Sequence, residues 1–154
     1  MNGLLRISLR LFLMHIAMII IIWLGGYFHP LEQIFAGYYI ILLAVGGCCL
    51  TEQHPAQAPR LALLGGGISQ IPGLLLALAN LLSYNQILNV SSDWTYALLI
   101  WQTPFVPWLT NINYPVLKEI QFYFLALNFA WLIVVGCVFG STITYQHITK
   151  HRWD

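Results

Sequence analysis

Four stretches of this chain, 11–28, 34–50, 61–82 and 120–145, contain no Asp, Glu, Lys or Arg. Each comes close to, or exceeds, the ~20 apolar residues that cross a ~30 Å hydrocarbon layer at 1.5 Å rise per residue. Charged residues make up only 7% of 154 residues, against 59% apolar, where a soluble domain carries about a quarter charged. A soluble fold of this length would lack the charge to keep its surface hydrated, so lipid is the expected main solvent. The expected class is an all-α integral membrane protein: one membrane domain over 1–154, folded as a bundle of four transmembrane helices. The first stretch follows Arg6 and Arg10. It is too long for the apolar core of a secretory signal and is followed by no small-residue cleavage site, so it reads as a retained anchor.

Orientation follows from the cations, because cytoplasmic loops keep an excess of Lys and Arg. With four crossings and the N-terminus inside, Arg6, Arg10, Arg60, Lys150 and Arg152 are cytoplasmic, and only Lys118, beside Glu119, lies outside. This predicts a multi-pass protein of the plasma or inner membrane with both termini in the cytoplasm.

Residues 94–109 form a further uncharged segment between the third and fourth stretches. Trp94, Leu98, Trp101, Phe105 and Trp108 recur at alternating steps of four and three, which aligns them on one helical face. Pro104 and Pro107 would interrupt a continuous helix by removing N–H donors, and aromatic rings favour the headgroup level. The expectation is an outer interfacial or re-entrant segment. A fifth crossing is the alternative, and it would move Lys150 and Arg152 outside.

Burial alone cannot bring helices together in lipid, so close contact between small residues does much of that work. Gly65, Ser69, Gly73 and Ala77 recur every four residues in the third stretch, and Gly136 and Gly140, continued by Thr144, do so in the fourth. These are the expected helix-packing ridges. Pro72 removes a hydrogen bond to Ile68 and predicts a kink, which Gly65-Gly66-Gly67 would loosen further. Gln70, Asn80 and Asn128 are expected to bond across helices. Together with Trp101 they form a candidate ligand-binding set if they converge on one cavity.

No intramembrane acid, Lys or Arg is available for proton pumping, voltage sensing or ion coupling. His15 is expected to bond a backbone carbonyl or water near the inner headgroups. His54, His147 and His151 are the candidate metal ligands, the latter pair four residues apart, but no recognised metal spacing is completed and no cofactor is expected. Cys48, Cys49 and Cys137 form no C-x-x-C and read as reduced packing residues. On the outer side, His29, Glu32 and Asp93 supply the only constellation suited to acid–base chemistry, and Asn89-Val90-Ser91 fits a glycosylation acceptor. No basic run suits nucleic acid.

The function expected first is that of a non-enzymatic oligomeric or accessory subunit of a membrane complex, packed through the third and fourth spans. Its partners would be the lipid bilayer and copies of itself or other membrane subunits. A binder or carrier of an apolar or amphipathic small molecule is the alternative, and an enzyme with an outer His/carboxylate site the third reading.

Overall fold

The computed structural model describes residues 2–26, 28, 30–84, 93–110, 115–117 and 120–150. The chain is largely helical. Three helices, α1 (Asn2–Gly25), α2 (Leu31–Gln53) and α8 (Trp131–Lys150), are each long and apolar enough to cross a membrane. Between them lie α3 (Ala58–Ser69) and α4 (Ile71–Tyr84), which satisfy the same test as a pair but meet at 56°. Shorter pieces complete the chain: α5 (Asp93–Trp101), α6 (Val106–Leu109), the antiparallel pair β1 (Pro115–Leu117) and β2 (Ile120–Gln121), and α7 (Phe122–Phe129).

The breaks follow from particular residues. Pro59 sits in the first turn of α3, where its missing N–H costs nothing. Pro72 cannot donate to the Ile68 carbonyl, and its ring crowds that group. The helix therefore ends at Ser69, with the Gln70 N–H bonded to Gly66 O and Gly67 O at 3.2 and 3.1 Å. Pro104 similarly stops α5 at Trp101, and Pro107 opens the single turn of α6. The last long helix begins later than the apolar stretch suggests, because a turn at Ala130 separates α7 from α8.

Packing changes partner at these breaks. α3 packs on α1, α2 and α8, whereas α4 packs on α5 and α7. Two apolar cores result. The larger joins Leu11, Met18, Tyr39, Leu43, Ala62, Val134 and Val138, and the smaller joins Ala77, Leu98 and Leu127. α2 and α8 run parallel: Gly47 meets Thr142, Thr51 meets Thr142, and Glu52 meets Tyr145. α7 runs antiparallel to α4, since Asn128 bonds Asn80 while Phe124 faces Tyr84 with ring centroids 5.1 Å apart. The outside of the bundle is apolar. Leu13, Ile20, Trp23, Ile41, Val45, Leu75 and Ile148 are all exposed, a surface compatible with lipid.

Candidate functional site

The densest polar contacts lie inside the apolar bundle, where the α3–α4 break and the end of α5 meet α1 and α2. His15, halfway along α1, is completely buried. Its Nε2 lies 2.9 Å from the Trp101 carbonyl and its Nδ1 2.6 Å from the Tyr39 hydroxyl. A carbonyl only accepts, so Nε2 carries the proton and Nδ1 accepts from Tyr39 O–H. Both ring nitrogens are thus engaged, and the single in-plane lone pair, on Nδ1, is taken by the Tyr39 hydroxyl. The imidazole also stacks against Trp101, with centroids 4.8 Å apart.

Trp101 extends the network to the break in the third span. Its Nε1–H donates to Gln70 Oε1 at 3.1 Å, and Gly73 makes room for the indole. A Cβ at Gly73 would collide with Trp101 Nε1 and stand 3.5 Å from Gln102 Nε2. Gln70 and Gln102 are both fully buried, yet Gln70 Nε2 and both polar atoms of the Gln102 carboxamide have no partner among the described residues. A buried unpaired amide costs about 1–3 kcal/mol, so the junction carries unused hydrogen-bonding capacity.

The four residues of the candidate ligand set form two separate groups. Gln70 pairs with Trp101, as above. Asn80 donates to Asn128 Oδ1 at 3.2 Å and accepts from Thr95 Oγ1 at 2.9 Å, while Asn128 donates to Phe124 O at 2.8 Å. Ten residues along α4, or about 15 Å, separate Gln70 from Asn80. The asparagine pair ties α4, α5 and α7 together with its amides used, which is a structural arrangement.

The two small-residue ridges have different fates. Gly65, Ser69, Gly73 and Ala77 are all buried within the chain. A Cβ on Gly65 would lie 2.8 Å from Ile7 Cγ2, so this ridge is taken up by α1 and α5. Gly136 and Gly140 are exposed, with no atom of the described residues within 4 Å of a Cβ built on either. The close contact of α8 within the chain is made elsewhere, at Gly47 of α2. Thr142 Oγ1 lies 2.7 Å from Val138 O and 3.2 Å from Gly47 O, and Thr51 Oγ1 lies 3.3 Å from Thr142 O.

Among the described residues, no three His, Cys, Asp or Glu side chains are grouped to hold a metal. His54 caps α2 and His147 lies on the last turns of α8, while His151 falls outside the described residues. Glu32 and Asp93 line different cavities, and His29, Lys118, Glu119 and the Asn89–Ser91 motif also lie outside the described residues. The cysteines are free.

Tyr39, Gln102, Gly47 and Thr142 carry contacts that the sequence did not single out. A polar residue between Trp101 and Pro104, and a Gly46–Gly47 pair in an apolar span, were the available signals. No protein-family model, curated protein or solved structure matches this chain.

Proposed function

We propose that this chain is a four-crossing, non-enzymatic membrane protein that works as an oligomer, assembled through α8. The observation that carries this reading is the open face of Gly136 and Gly140 on a helix whose opposite side is buried against α2 and α3. Exposed Leu132, Ile133, Ile143 and Thr144 flank it, and it holds no charge. A second copy of α8 is the partner. A stripe of glycines is self-complementary, so two identical helices can cross at the same residues with their backbones in contact.

The four crossings are α1, α2, the bent α3–α4 pair and α8. Parallel α2 and α8 support this count, because the intervening chain must return to the side from which α2 started. The segment 94–109 is then re-entrant. α5 runs antiparallel to α4, from Thr95 beside Asn80 to Trp101 beside Gly73 and His15. The chain then turns back toward Gly37, against which Trp108 rests. With the cations as the guide, Arg6, Arg10, Arg60 and Lys150 face the cytoplasm of a plasma or inner membrane.

Native mass spectrometry of the protein in mild detergent tests the assembly. Wild type is expected as a dimer or larger oligomer, and Gly136→Leu and Gly140→Leu as monomers with wild-type helix content, since each new side chain enters space that the described residues leave open. A monomeric wild type, or variants that assemble unchanged, would count against it.

A second reading, a small-molecule binder, is favoured by the unpaired Gln70 and Gln102 amides where two broken helices meet, the kind of junction at which carriers hold polar ligands. It expects a small molecule to co-purify with wild type and to be lost in Gln102→Leu. Wild-type protein free of any such molecule ends that reading.

A further inference from the structure

At the end of the bundle where α1 begins and α2 stops, a cavity of about 380 Å³ is lined by Gly3, Arg6, Ile7, Arg10, Gln53 and His54. Arg6 and Arg10 are four residues apart and so share one face of α1. Among the described residues, neither guanidinium makes an ion pair and no carboxylate lines the cavity. Glu52, the acid nearest in sequence, instead accepts a hydrogen bond from Tyr145 Oη at 2.7 Å, on the side of α2 that faces α8. Gly3 leaves the space beside it open, with no described residue within 4 Å of a Cβ at that position. Two like charges facing one hollow repel each other, and an anion between them reverses that cost. Each planar guanidinium offers a fork of donors that matches two oxygens of a phosphate. The Gln53 carboxamide and the His54 ring add N–H donors at the opposite wall, and His54 is held at the end of α2 by its own N–H bonded to Leu50 O at 2.9 Å.

We propose that this cavity binds a phosphoryl group, with Arg6 and Arg10 as its principal contacts and Gln53 and His54 closing the other side. Two sources present this chemistry: the head of an anionic phospholipid, and free phosphate. The lipid source also rests on the bilayer reading above, because it needs the start of α1 at the level of the headgroups, where anionic lipids of the cytoplasmic leaflet attract basic side chains. The phosphoryl site itself depends only on the residues of the cavity.

The experiment uses the full chain in an uncharged detergent. Phosphatidylglycerol, phosphatidylcholine and inorganic phosphate are added separately and followed by native mass spectrometry and thermal unfolding. Wild type is compared with Arg6→Gln/Arg10→Gln, with His54→Ala, and with Arg60→Gln as a control for charge lost elsewhere. A lipid site retains phosphatidylglycerol over phosphatidylcholine, whose choline is repelled by the guanidiniums. The double variant then loses about thirtyfold in binding, and Arg60→Gln loses nothing. A site for free phosphate shows a rise in Tm with inorganic phosphate, absent in the double variant, and no preference between the lipids. If wild type binds neither probe, or if the double variant and His54→Ala bind as wild type does, the proposal is overturned. None of these readouts involves α8 assembly, so the oligomer proposal can fail while this one stands.

Discussion

His15→Leu is expected to lower stability by about 2–4 kcal/mol, read by reversible unfolding in mixed detergent. Leucine fills much of the same volume, so the loss is mainly polar. The substitution removes the acceptor of the Tyr39 hydroxyl and the donor to the Trp101 carbonyl, in a region where Tyr39 and His15 are both completely buried. A buried group left unpaired costs about 1–3 kcal/mol, and here two groups lose their partner together. Tyr39→Phe removes a single bond and leaves only the Nδ1 lone pair behind. Its expected cost is smaller, about 1 kcal/mol, in line with the modest net value of hydrogen bonds between membrane helices. The double variant should cost less than the two single changes added, because Tyr39→Phe takes away the hydroxyl that His15→Leu would otherwise orphan. His15→Leu proving no costlier than Tyr39→Phe would mean that the two polar contacts do not act as described.

The other large effect is expected at Gly47. A Cβ there would collide with Ser141 Oγ, stand 2.5 Å from Val138 O and 3.1 Å from Thr142 Oγ1. The serine could rotate away, but the Val138 carbonyl belongs to the backbone of α8 and cannot yield without parting the helices. Gly47→Val should therefore cost about 3 kcal/mol or more, at or beyond the usual ~1–3 kcal/mol of overpacking. It should also break the hydrogen bonds from Thr51 to the Thr142 carbonyl and from Thr142 to the Gly47 carbonyl that align α2 with α8. At the adjacent Gly46 a Cβ meets no atom of the described residues within 4 Å, so Gly46→Val serves as the control. Equal Tm values for the two variants would contradict the account of this interface.

Much of the helix layout was legible because uncharged apolar stretches of this length have few alternatives. The kink was legible from Pro72, although the helix parts at Gln70, where the lost hydrogen bond to Ile68 takes effect. The position of His15 was not. Arg6 and Arg10 suggested that it lay near the inner headgroups, yet α1 runs unbroken from Asn2 and brings it to mid-helix, against Tyr39 and Trp101.

The choice among small-residue faces was illegible for a deeper reason. In water, the face that packs inward is the apolar one, and polarity marks it. On the proposed bilayer reading both faces are apolar, so nothing in the sequence separates Gly47, which meets a neighbouring backbone, from Gly136 and Gly140, which meet none among the described residues. The same limit hid the pairing of Gln70 with Trp101, because which polar side chains converge depends on how the bent helices cross.

Side-specific labelling of single cysteines, introduced into a chain lacking Cys48, Cys49 and Cys137, most directly tests the proposed path through the bilayer. Positions Gln57, between α2 and α3, and Lys150, at the end of α8, should react with an impermeant reagent from one and the same side. Leu31, at the start of α2, should react only from the other. Labelling of Gln57 and Lys150 from opposite sides would contradict four crossings, and with it the parallel course of α2 and α8.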